Sequence, residues 1–291
     1  MEPCNFFAHR SIGLVLILIL FTGCINTETV VRLNPDGSGR IIEKTLFSPE
    51  FVQQMTQMFK GMAEQFGQNS SDDKAAKEPD LFSEETARKR VTNFGEGVTF
   101  VSSHKIKNAD WEGLEAIFEF KDIRKVHLSE NPQQSGVPGL QAPSSGKSNP
   151  TTFEFARLPN GNSVLTVVNP PIEKKDREQA DNDSEGPSES SESSNSPQNA
   201  EAVKKMFAGF RIASSIDVQG TILRTNIPYR EESRLTLLEI DFAQLLANEE
   251  KFKEFQKLQP KTLDEAKVFL KEVKGIKIPL DSKMLVEFRG R

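Results

Sequence analysis

Cysteine is almost absent from this 291-residue chain, and both copies, Cys4 and Cys24, sit at one end. No disulfide can staple the body beyond them, and no thiolate there can serve as a nucleophile or a zinc ligand. Histidine is nearly as scarce, with three residues: His9, His104 and His127. A Ser-His-Asp triad or a histidine metal site in the body would have to use one of the last two, and no Gly-x-Ser-x-Gly elbow accompanies them. Aromatics with a polar handle are reduced to Trp111 and Tyr229, against 21 phenylalanines, 18 of which follow Cys24. Phenylalanine supplies buried area without a hydrogen-bonding group, which suits a packed core or an apolar cavity. An excess of positive charge is missing too. Lys and Arg number 37 against 42 acids, and the net −5 arises between Pro170 and Asn199, where eight acids meet three bases. The balanced remainder carries no basic footprint, so a nucleic-acid partner is not expected.

The chain also lacks a long hydrophobic run. Ile12 to Phe21 is ten residues, about half of the roughly 20 that span a bilayer core. That shortness is informative. Arg10 precedes the run, and Thr22-Gly23-Cys24 closes it, which is the charge, apolar segment and small-residue order of an export signal. The stretch Leu20-Phe21-Thr22-Gly23-Cys24 resembles the lipobox of bacterial lipoproteins. Thr22 and Gly23 fit that pattern, and Phe21 stands where the family usually has Leu. The resemblance implies a signal peptide at 1–23, lipidation of Cys24 by palmitate-like chains, and a mature protein held by its lipids at a membrane of the bacterial cell envelope, facing the periplasm or exterior. Each buried methylene contributes about 0.8 kcal/mol, so two or more chains anchor stably where one does not. An uncleaved N-terminal anchor is the competing reading of the same residues.

The body reads as α+β: an antiparallel, hairpin-rich sheet packed against several amphipathic helices. Asn26 to Thr29 are polar, so the first strand is expected at Val30 to Leu33. Ile25 to Thr29 then form a tether reaching at most about 17 Å. Asn34-Pro35-Asp36-Gly37-Ser38-Gly39 and Pro159-Asn160-Gly161-Asn162 are hairpin turns, and the first of these, so soon after the cysteine, resembles the opening of uncharacterised envelope lipoproteins. Ser48-Pro49-Glu50 starts a helix whose Phe51, Met55, Met58, Phe59, Met62 and Phe66 share a face. A second helix is expected from Ser83 to Phe94, and further ones from Asn199, Asp241 and Thr262. Met284, Val286 and Phe288 alternate in a terminal strand. The organisation is 1–23 signal, 24–169 N-terminal α+β part, 170–198 disordered acidic linker, and 199–291 C-terminal α+β part sharing one core with the first.

Motifs that carry chemistry fail on stated requirements. Gly146-Lys147-Ser148 lacks the earlier glycine and the strand of a phosphate loop. Ser102-x-x-Lys105 and Ser144-x-x-Lys147 lack the companion Lys-Thr-Gly. Asp181, Asp183, Glu185, Gly186 and Glu192 fall at calcium-loop spacing, but without an apolar eighth position. No catalytic residue, cofactor or metal ligand is expected, so the chain is read as a non-enzyme. The expected function is a structural or protein-interaction role at the membrane, with an envelope protein or lipid as possible partner. The alternative is a lipid or apolar-ligand carrier.

Overall fold

The computed structural model describes residues 25–57, 80, 82–129, 150–170, 209–247, 250 and 263–290. The signal segment with Cys24, the acidic tract, the calcium-like spacing, Ser144 to Lys147, the helix expected from Asn199, Thr262, and Met58 to Phe66 lie outside the described residues.

Thirteen strands are described: β1 Ile25–Leu33, β2 Gly39–Phe47, β3 Val98–Lys107, β4 Glu112–Phe120, β5 His127–Leu128, β6 Thr151–Arg157, β7 Ser163–Val168, β8 Arg211–Val218, β9 Gly220–Thr225, β10 Arg230–Glu231, β11 Arg234–Asp241, β12 Ile276–Lys277 and β13 Lys283–Gly290. They form two sheets. The larger runs β10-β11-β8-β1-β2-β4-β3 with β12 on β11, and the smaller runs β5-β6-β7-β13-β9. The inward side chains of both meet in one cluster. Val31, Leu33, Ile41, Phe118, Ile216 and Leu235 come from the larger sheet, and Leu165, Val167, Met284, Val286 and Phe288 from the smaller. All eleven are fully excluded from solvent. From β8 of the larger sheet to β9 of the smaller the chain crosses through one residue, Gln219, whose amide donates to the Leu33 carbonyl at 2.8 Å. Gly220 follows because a Cβ there would strike the Arg289 carbonyl.

The expected hairpins are present. At the first turn Gly37 takes φ +89°, open to glycine at little cost, and Ser38 donates both its amide and hydroxyl to the Asp36 carboxylate, at 2.9 and 2.7 Å. Those bonds hold Asp36 below the usual carboxylate range.

Four expectations are corrected. The structure is mostly sheet, and the described helices are few: α1 over 49–57, α2 Glu84–Lys89, α3 Phe242–Leu246 and α4 Leu263–Glu272. Each sheet covers the apolar face of the other, so several amphipathic helices are not needed for that purpose. The helix expected from Ser83 to Phe94 is α2 capped by Ser83, then a tighter 3₁₀ turn, Arg90–Asn93. The larger sheet is mixed rather than wholly antiparallel, because β1 and β8 run parallel, with Val31 opposite Ile216, while the smaller sheet is antiparallel throughout. Finally, β1 begins at Ile25 and not Val30. Asn26 to Thr29 pair in full with Leu46 to Glu43 on one side and with Arg211 to Ser214 on the other. No five-residue tether separates Cys24 from the sheet.

Phe118 packs against Phe94 and Phe100, with ring centroids 4.9 and 6.0 Å away. Phe118→Ala is expected to lower the unfolding free energy by about 3–5 kcal/mol in urea denaturation. Val101→Ala, at a side chain 45% exposed, should change it by less than about 0.5 kcal/mol.

Candidate functional site

The inward face of β1 and β2 is layered along the strands. Ile25 opposite Phe47 forms an apolar row at the Cys24 end. Thr27 opposite Thr45 and Thr29 opposite Glu43 form a polar band. Val31 opposite Ile41 begins the main core. Alternation places all of these on one side of the sheet, so the same pattern that builds the core carries a carboxylate into it.

Glu43 is 6% exposed, and its partner Arg90, from the 3₁₀ turn, is 8% exposed. The Arg90 guanidinium donates from Nη2 to Glu43 Oε1. Glu43 Oε2, Arg90 Nε and Thr45 Oγ1 are buried with no hydrogen-bond partner among the described residues. Such orphaned groups are costly unless something polar reaches them. Glu43 also lines a cavity of about 70 Å³ bounded by Thr27, Thr29, Asn93, Ser129, Thr151 and Ser214, with apolar walls from Phe94, Leu128 and Leu237. One water needs on the order of 10–15 Å³, so the space suits a few waters or a very small polar ligand.

Burial pushes the Glu43 carboxyl up to about 7, and the positive charge of Arg90 pulls against that rise. A carboxyl titrating near neutrality, in a polar recess, can take up and release a proton at ordinary pH. A divalent cation asks for several oxygen ligands. No group of three His, Cys, Asp or Glu side chains able to hold a metal is present among the described residues.

The other candidates from the sequence take ordinary places. Ser102 and Lys105 lie three apart on β3, which sends them to opposite faces, and Lys105 is bound to Asp80 at 2.6 Å. His104 is exposed on β3, 3.8 Å from Glu115. His127 opens β5, its amide donating to the Phe94 carbonyl at 2.9 Å. Cys24 lies outside the described residues, but covalent geometry puts it next to Ile25. Sequence reasoning missed Glu43 and Arg90. The available signal was an acid at an inward slot of the alternation Ile41-Glu43-Thr45-Phe47.

In the folded protein the protonated form of Glu43 is favoured, so it contributes stability below about pH 4.5 that is lost as pH rises through about 7. The unfolding free energy of the protein minus that of Glu43→Gln is expected to fall by on the order of 3 kcal/mol across that interval. Denaturation curves at half-unit pH steps check this; a flat difference would remove Glu43 as a neutral-range titrating group.

No described helix is long and apolar enough to cross a membrane. No family model matches the chain, and no curated protein does. Among solved structures, the chain is similar to the folded domain of LppM from Mycobacterium tuberculosis, determined by NMR, at 8% identity over 94% of each chain with a TM-score of 0.31.

Proposed function

We propose that this protein is a lipoprotein of the bacterial envelope, acylated at Cys24, that holds a folded body at the membrane for a structural or protein-interaction role. The observation that carries this reading is the start of β1 at Ile25, in the interior of the larger sheet. Any lipid on Cys24 is joined to the body with no linker, so the anchor fixes position as well as compartment. The small cavities lined by the described residues favour a role performed at the surface. Ligand pockets for lipid-sized molecules run to about 300–1,000 Å³, whereas the described cavities measure about 70, 130 and 160 Å³. The carrier alternative would need an apolar space of another order, and it would predict stoichiometric lipid co-purifying with a non-acylated variant.

Cells fed labelled palmitate should incorporate it into the protein, and Cys24→Ser should abolish the label and move the protein from the membrane to the soluble fraction. Integral membrane association that survives Cys24→Ser would overturn the reading in favour of an uncleaved anchor.

A further inference from the structure

The two ends of the larger sheet differ in chemistry. Across the end nearest Cys24, the strand registers align one row of residues. Ile25 stands opposite Phe47, and Phe47 opposite Glu112 on β4. On the other side Asn26 pairs with Arg211, and Arg211 with Asp241. One residue further out, the Phe242 amide donates to the Phe210 carbonyl at 3.0 Å, extending the row beyond β8 and β11. The row is therefore Phe242, Phe210, Ile25, Phe47 and Glu112, with Lys107 of β3 opposite Glu112 and Trp111 one residue beyond Glu112 along the chain. Strands lie about 4.8 Å apart, so Glu112, the chain neighbour of Trp111, and Phe242 each sit about 10 Å from Ile25, on opposite sides of it.

Aromatic packing thickens this row. Phe51 of α1 stacks on Phe47 at 5.4 Å, Phe82 approaches it at 5.7 Å, and Phe210 meets Phe242 edge-on at 5.5 Å. Phe51, Phe82, Phe210, Phe242 and Trp111 are half-buried, each still reaching solvent. Beside Trp111 the β3–β4 turn exposes Lys107, Asn108 and Asp110. At the far end of the same strands the exposed residues are Asn34, Asp36, Glu96, Lys121, Gln219 and Glu232, without an aromatic among them.

We infer that the aromatic row is a membrane-contact surface, seated at the boundary between phospholipid headgroups and acyl chains. This rests on the reading that Cys24 carries the lipid anchor. The occupant follows from the place of Ile25 in the row: acyl chains carried by the residue bonded to Ile25 would enter the bilayer beside it. A tryptophan with Lys, Asn and Asp around it, flanked by phenylalanines, matches the mixed polarity of that boundary. The anchor and the row act together, because a surface already held at the bilayer loses little further translational freedom on seating. The polar far end then points away from the membrane.

Trp111 is the sole tryptophan, so its fluorescence reports this surface without interference. The acylated protein is reconstituted into phosphatidylcholine vesicles, and flotation and intact mass establish the anchor separately from the optical signal. Seating predicts a blue-shifted Trp111 emission and a loss of about half its intensity when the lipids carry brominated acyl chains. A floating, acylated protein whose Trp111 emission is unshifted and unquenched would overturn the contact surface while leaving the anchor intact, and would assign the cover of the row to the chain itself. If the protein neither floats nor carries lipid, the anchor reading fails. The row is then tested by coupling the chain from Cys24 onward, which holds every described residue, through its single thiol to a maleimide lipid. Blue shift and bromine quenching in that sample support the surface, and their absence overturns it.

Discussion

The pairing of β1 with two partners from distant parts of the chain is the constraint on which the rest of the structure depends. On one side it binds β2 through a five-residue turn, a local contact that forms with little loss of chain entropy. On the other it binds β8 in parallel, and Leu33 meets Val218 across most of the chain's length. Closing a loop that long is entropically costly, though the cost grows only with the logarithm of its length. The fully buried cluster offsets it, since Val31 and Leu33 touch a core drawn from both sheets. Residues before and after the acidic tract therefore share one hydrophobic interior, and β1 is the strand that joins them.

The same strand sets the polarity of the interior. Its inward residues run from Ile25 through Thr27 and Thr29 to Val31 and Leu33, so a polar band lies between an apolar cap and an apolar core. Within the band, a buried carboxylate and guanidinium satisfy each other only in part. Pairs of this kind contribute little net stability, and well-packed apolar residues in their place are often neutral or stabilising. Retaining Glu43 beside a small cavity is thus the least economical feature of the core. Its raised pKa ties the protonation state of the interior to the pH of the surroundings. The outward face of the same region is ordinary by comparison: Glu28 with Arg234, and Arg211 with Glu239, form ion pairs at 2.6 and 2.9 Å on a solvated sheet surface.

Much of this was legible where the signal is local. The turns at Asn34 to Ser38 and Pro159 to Asn162 announce themselves through residues that only turns favour. Met284, Val286 and Phe288 show the period of two that puts them in the core. The start of β1 was not legible, because Asn26-Thr27-Glu28-Thr29 carries no apolar alternation of its own. Its inward threonines make sense only opposite Thr45, Glu43 and the cavity. The parallel partner β8 was hidden for a related reason, since strand direction across a long connection leaves no trace in composition. The small number of described helices fits two sheets that cover each other, a choice made in tertiary space. Glu43 stood visibly at an inward slot, but Arg90, from a turn 47 residues away, could not be matched to it by spacing.

The proposed lipid on Cys24 would join the middle strand of a sheet directly, with no intervening tether. Neutron reflectometry of the acylated protein on a supported bilayer measures this attachment as the distance between the headgroups and the first dense protein layer. The account predicts protein density that begins within the headgroup region, with no separate solvent layer. A hydrated gap on the order of 17 Å, the reach of five extended residues, would contradict it.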